Sequence, residues 1–264
     1  MQDFGFHRPA DVKGALASLK KAAEGKYLAG GQSLIPVMKL GLAAPSDLVT
    51  LSGLAELKGL RLEGRELVIG AGVTHAEVAE STEVKKAIPA LRELAGHIGD
   101  AQVRNRGTLG GSLAHNDPAA DYPAAVLGLG ATVQTDRRRI AADAYFKGLF
   151  QTALEPDEII VQVRFPVPER AAYAKFPHPA SRFALVGVMV AKGAGGIRVA
   201  VTGAGPGVYR SAELERALQA RFAPEALASV TVPSTGLTSD AFGSAEYRAH
   251  LVGVLARRAV AACR

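Results

Sequence analysis

Apolar residues recur at helical spacing at Val12, Ala15, Leu16 and Leu19, behind a start signal at Pro9 to Asp11, and predict a first helix. Lys20 and Lys21 fall near its end, where cations suit the helix dipole. A short strand, Tyr27-Leu28-Ala29, is predicted next. It runs into Gly30-Gly31-Gln32-Ser33, and a short helical segment opens with Leu34-Ile35-Pro36. Leu48-Val49-Thr50-Leu51 reads as a strand. Leu60 and Leu62 alternate on one side of Glu63-Gly64-Arg65-Glu66, and Leu67 and Ile69 on the other, which is a hairpin closed by Gly70-Ala71-Gly72. Helices are predicted over Thr74–Ala79 and Val84–His97, the second with Ile88, Leu91 and Leu94 at helical spacing. Arg104 to Ser112 reads as a glycine-rich loop, and Tyr122 to Leu129 as a helix. Thr132–Thr135 and Ile159–Phe165 read as strands, ended by Pro166 and Pro168.

The pattern changes after Lys175. Phe183–Lys192 and Ile197–Val201 are apolar runs joined by Gly193-Ala194-Gly195-Gly196, a hairpin with a glycine turn. Helices are predicted near Ala212–Arg221 and Ala245–Ala261. Strands and helices do not strictly alternate, so the fold class is α+β. No internal repeat or low-complexity tract interrupts the chain.

At 264 residues and 48% hydrophobic, the chain is long enough to bury a sizeable core and to hold two or three domains. Its net charge of +6 is compatible with an anionic partner. The cations are scattered, however, and the densest run, Arg137-Arg138-Arg139, reads as a solvated hairpin turn. No basic stripe or aromatic–basic module points to nucleic acid. Cys263 is the single cysteine, which excludes an intrachain disulfide and a four-cysteine iron–sulfur cluster held by this chain alone. It fits a cytoplasmic setting better than a secreted one. The N-terminus lacks an apolar signal core, and the longest apolar run, Phe183 to Ala191, is too short to span a bilayer.

Two glycine motifs carry candidate chemistry: Ala29-Gly30-Gly31-Gln32-Ser33 and Gly107-Thr108-Leu109-Gly110-Gly111-Ser112. Paired glycines after an extended segment expose successive backbone N–H groups, which form a cradle for phosphate oxygens. Ser33, Thr108 and Ser112 add hydroxyls. A lone Gly-Gly pair is more often just a turn. Neither motif matches the dinucleotide fingerprint G-x-G-x-x-G or the P-loop. His115 and Asp117 resemble metal ligands or an acid–base pair, but no second ligand cluster stands at metal spacing, and Asp117-Pro118 reads more simply as a turn before a helix. Asp121 suits either ribose hydroxyls or a helix cap.

Taken together, these motifs resemble the FAD-binding medium subunits of the molybdenum hydroxylases, the family of xanthine dehydrogenase and aerobic carbon monoxide dehydrogenase. The resemblance runs nearly end to end. It includes His7-Arg8-Pro9, Ala29 to Pro36 with Met38-Lys39-Leu40, Ile69 to Thr74, Gln102 to Ser112, Asp117 to Ala124, Lys175-Phe176 and Ser181 to Val186. It implies a p-cresol methylhydroxylase-type FAD-binding fold of two subdomains, residues 1–55 and 56–170, followed by a C-terminal α+β domain, residues 171–264.

The resemblance further implies that the FAD diphosphate lies against Ala29, Gly30, Gly31, Gln32, Ser33 and Leu34 on one side. Thr108, Leu109, Gly110, Gly111 and Ser112 would face it on the other. The family's ribose-binding aspartate falls on Asp121, and further flavin contacts fall on Ile160 and Lys175. Many relatives carry Asn where this chain has Ser112, which loses an amide's paired donor and acceptor there.

The implied partners are a large subunit with the molybdopterin cofactor and a small subunit with two [2Fe–2S] clusters, assembled as a dimer of heterotrimers. The implied setting is cytoplasmic, or peripheral at the inner face of the membrane through the complex. In such an assembly this chain moves electrons from the clusters to an external acceptor, and no side chain acts as nucleophile or base. Loops around Arg104–Arg106 and Ala114–Ala119 are the expected partner contacts. Two other readings stand beside this one. One is a self-standing FAD-dependent oxidase or reductase of the same fold class; the other is a non-catalytic assembly protein that kept the fold.

Overall fold

A computed structural model describes residues 2–264. The chain begins with β1 (Gly5–His7), α1 (Val12–Lys21), β2 (Gly25–Leu28), α2 (Leu34–Lys39) and β3 (Asp47–Thr50). β3 runs parallel to both β1 and β2 and lies between them. Asp11 caps α1 by accepting from Gly14 N–H, and Lys20 and Lys21 occupy its last turn. The predicted strand at residues 27–29 stops at Leu28, so Ala29 already belongs to the turn.

The middle of the chain carries β4 (Leu60–Glu63), β5 (Glu66–Gly70), α3 (His75–Glu80), α4 (Thr82–Ala87), α5 (Pro89–Gly96), α6 (Ala101–Arg104), α7 (Leu109–His115) and α8 (Tyr122–Gly128). It continues with β6 (Thr132–Thr135), β7 (Arg139–Ala141), α9 (Ala142–Tyr145), β8 (Phe146–Gly148), β9 (Gln151–Thr152) and β10 (Ile160–Pro166). β4-β5-β10-β6-β7 form one antiparallel sheet. Residues Leu67, Ile69, Val163 and Phe165 of this sheet are fully buried against α5, α7 and α8.

Two expectations change here. The single helix expected over Val84–His97 is broken at Ile88, which takes φ −143° and ψ 78° because Pro89 excludes the helical region from the residue before it. The glycine-rich stretch Arg104 to Ser112 is not one loop. Its first residue ends α6 and its last four begin α7, with Thr108 as N-cap. The Arg137–Arg139 turn is a hairpin as expected, but it is ion-paired rather than merely solvated. Arg137 meets Asp157 at 2.6 Å, and Arg138 meets Glu158 at 2.8 Å.

The last part holds β11 (Arg170–Pro177), β12 (Ala184–Gly193), β13 (Gly196–Thr202), β14 (Tyr209–Arg210), α10 (Ala212–Ala220) and α11 (Ala245–Ala262). β11 to β14 form an antiparallel sheet in chain order, covered on one face by α10 and α11. The other face receives α8: a Cβ on Gly128 would lie 2.7 Å from Met189 Cγ. All seven residues of α8 are buried, which is why its sequence is apolar or small on every side. α8 thus ties the middle sheet to the C-terminal one and fixes Asp121 at their junction. No helix among the described residues is long and apolar enough to cross a membrane.

Candidate functional site

The two glycine motifs meet along one seam. After β2, Gly31 turns the chain with φ +76°, a conformation that favours glycine. The preceding Gly30 packs directly on the other motif. A Cβ there would stand 2.1 Å from Arg106 O and 2.8 Å from Gly107 Cα. Gly110 is equally constrained, since its Cβ would meet Ala71 Cβ at 2.5 Å, and Gly111 faces Ala29 Cβ at 3.4 Å. Two glycines in the first turn of a helix cost helix propensity. They stay within a helix here because Thr108 Oγ1 accepts from Gly111 N–H at 3.1 Å. Gly110 N–H also donates to Ala71 O at 2.8 Å.

Above the seam lies a cleft of about 1240 Å³. That exceeds the range of roughly 300–1,000 Å³ usual for small-molecule pockets. Its walls include Ala29, Gly30, Gly31, Gln32, Ser33, Leu34, Thr108, Gly110, Gly111, Ser112, Asp121 and Ile160, so most of the expected contacts converge. Two do not reach the wall. Leu109 is fully buried in the core, and Lys175 stands behind Asp121.

Among the described residues, the N–H groups of Gly30, Gly31, Gln32 and Ser33 donate to no protein acceptor. Unpaired backbone donors at a polar opening are what an anionic ligand satisfies. The Arg106 side chain borders the same seam and forms no ion pair or hydrogen bond among the described residues. Arg104, by contrast, is tied down, donating to Ile98 O at 3.0 Å.

Asp121 is buried and both of its oxygens are engaged. Tyr173 Oη donates to Oδ1 at 2.6 Å, and Lys175 Nζ donates to Oδ2 at 2.9 Å. Burial pushes the carboxyl up, against the pull of Lys175 and Tyr173. Lys175 Nζ also donates to His97 O, at the end of α5. A ribose contact by Asp121 therefore has to use lone pairs left over from this network. On the far wall, Glu158 is held well below the usual carboxylate range, at about 2, by Arg138 and by donation from Glu155 N–H and Thr135. Tyr27 Oη donates to Asp157 O at 3.2 Å, binding β2 to this wall.

His115 and Asp117 do not act as a pair. The His115 ring packs tilted against Phe150 with centroids 5.1 Å apart, while Asp117 Oδ1 accepts from Ala119 N–H in its own turn. No group of three or more metal-ligating side chains forms among the described residues. Sequence reasoning missed His75, which lines the cleft, and the strand β11 that brings Tyr173 to Asp121. The alternation in β11 was hidden because residues on both of its faces are partly covered.

A family described as "FAD binding domain in molybdopterin dehydrogenase" matches residues 2–168. The chain belongs to that family. FAD is its cofactor, and the residues present fit one: a cleft of about 1240 Å³, four N–H donors unpaired among the described residues, and a glycine seam that any Cβ would fill. The chain is 37% identical to the nicotine 6-hydroxylase medium subunit of Paenarthrobacter nicotinovorans, over 97% of this chain and 95% of that one. It is 34% identical to the carbon monoxide dehydrogenase medium chain of Hydrogenophaga pseudoflava, over 97% and 96%. Among solved structures it superposes on reconstituted CO dehydrogenase from Oligotropha carboxidovorans with a TM-score of 0.90 at 34% identity, covering 98% and 97% of the two chains. The expected α+β FAD-binding fold is the observed one, and the chain is an FAD-binding oxidoreductase component.

Proposed function

We propose that this chain is the FAD-carrying medium subunit of a molybdenum hydroxylase, passing electrons from [2Fe–2S] clusters of a small partner subunit to an external acceptor. The observation that carries this reading is the seam itself: two glycine loops, free of side chains where they touch, under a cleft with four unpaired N–H donors. FAD supplies one- and two-electron redox chemistry when bound; protein supplies position and electrostatics. In this reading Gly30 to Ser33 hold the diphosphate, with Thr108, Gly110, Gly111 and Ser112 closing on it. Ile160 lies along the far wall, and Asp121 with Lys175 steadies the junction beneath. Leu109 acts only as the buried anchor of its loop.

The single cysteine, Cys263, leaves the clusters to a partner. A large molybdopterin subunit completes the complex, as a dimer of heterotrimers in the cytoplasm or held peripherally at the inner face of the membrane. Two relatives of similar identity are named for nicotine and for carbon monoxide, which supports placing substrate choice on the large subunit. The three main sheets, confined to residues 5–50, 60–166 and 170–210, support a division at 1–55, 56–170 and 171–264.

The test is the purified complex. Chromatography of the released cofactor is expected to give FAD, and stopped-flow mixing with substrate is expected to bleach flavin absorbance after the clusters are reduced. Flavin that stays oxidised while the clusters turn over overturns the electron-transfer role.

A further inference from the structure

We infer that His75 is a cofactor-binding residue, donating a hydrogen bond from Nε2 to the FAD diphosphate in the cleft, at the seam between the two glycine loops. This rests on reading the cleft as the FAD site. His75 opens α3, where its own N–H donates to Gly107 O at 3.0 Å, so the backbone pins it to the second glycine motif. The residue is 5% exposed, yet it forms part of the cleft wall. Gly107 is what lets the ring come so close: a Cβ there would lie 2.4 Å from Nε2. Gly107 in turn packs against Gly30 across the seam, so the ring adjoins the contact between the two loops.

The two ring nitrogens differ. Nδ1 is sealed from solvent and has no partner among the described residues. Among the described residues Nε2 has no partner either, but it is not sealed, and His75 lines the cleft. The Tyr122 ring packs against His75 with centroids 5.3 Å apart, and its hydroxyl is also sealed and unpartnered. Nε2 is therefore the ring nitrogen that can meet a ligand, and donating from it requires the neutral Nε2–H tautomer. Burial, reinforced by the Arg104 charge, holds the imidazole neutral down to a pKa of about 4. The ring therefore offers the diphosphate a donor without placing a charge in the core.

Two measurements on the full-length chain test this. In ¹⁵N spectra of the wild-type protein, His75 is expected to be the neutral Nε2–H tautomer, with Nε2 shifting when FAD is added. Flavin fluorescence titrations of His75→Leu and His75→Gln supply the second arm. Leu keeps the bulk but has no donor, and is expected to weaken FAD binding about tenfold or more. Gln places an amide nitrogen near the Nε2 position and is expected to restore most of the affinity. An Nδ1–H tautomer, a ring that ignores FAD, or a Leu variant that binds as wild type overturns the inference, as does equal loss in both variants. If the wild-type chain itself binds no FAD, the reading of the cleft falls instead.

Discussion

Lys175 Nζ stands 2.9 Å from Asp121 Oδ2, and each side chain is only 4% exposed. The pair joins β11 of the C-terminal sheet to the start of α8, and Tyr173 and the His97 carbonyl complete its bonding. Removing one partner of a buried pair strands the other's charge, which costs about 3–5 kcal/mol. Lys175→Met and Asp121→Asn are each expected to lose stability on that scale in urea unfolding. The double variant is expected to recover much of the loss. Single variants as stable as wild type would show that the pair is not a structural junction.

Gly30 has backbone rather than a flexible side chain where its Cβ would go. Gly30→Ala must therefore spread the two loops, and overpacking of this kind costs about 1–3 kcal/mol. The purified variant is expected to retain only a minor fraction of its FAD. Gly41→Ala is the control: Gly41 also has positive φ, at +73°, but its Cβ would meet nothing within 4 Å. It is expected to lose some stability from backbone strain and no FAD. Equal FAD content in both variants would separate the seam from cofactor binding.

The sequence made the helices and the two glycine motifs legible because their signals are local: apolar period, glycine pairs, prolines. What it hid was long-range. Asp121 read as a ribose ligand or a cap, and its actual partners, Tyr173 and Lys175, lie 52 and 54 residues away. Arg104 read as a partner contact, and the donation of its guanidinium to the carbonyl of Ile98 was not legible. Gly30 and Gly107 read as parts of two separate phosphate cradles or turns, and their packing against each other is set by how β2 and α7 dock. His75 carried no motif at all, and only its burial beside Gly107 marks it.

Asn116 ends α7 in the left-handed conformation, with φ 48°. Its Nδ2 donates to Gly148 O at 2.9 Å and Gln151 O at 2.7 Å, clamping the β8–β9 hairpin. Asn116→Gly keeps the backbone and loses the clamp, at about 1–3 kcal/mol. Asn116→Ala loses the same clamp but keeps a Cβ in the left-handed region, where glycine is free of that penalty, and so is about 1–2 kcal/mol less stable than the glycine variant. Alanine is therefore expected to be the worse substitution, the reverse of the order in a helix interior. Thermal unfolding of the two variants checks this, and a more stable alanine variant refutes it.

Acid lability is expected to come in two separable windows. For His75, burial and then Arg104 lower the pKa from 6.5 to about 4. The unfolded chain takes up this proton first, so stability falls as pH drops from 6.5 towards 4. For Glu158, hydrogen bonding from Arg138 leads the shift from 4.5 to about 2. Its contribution is complete above 4.5 and is lost as pH falls towards 2. Urea midpoints measured at about pH 7, 5 and 3 distinguish the two. His75→Gln is expected to flatten the decline between the first two points and to reduce the later one only in part, since the His75 window ends near pH 4. Glu158→Gln is expected to do the opposite and to be less stable even at neutral pH, because Arg138 loses its partner. A His75→Gln profile that still falls between pH 7 and 5 as steeply as wild type would place that loss on another group.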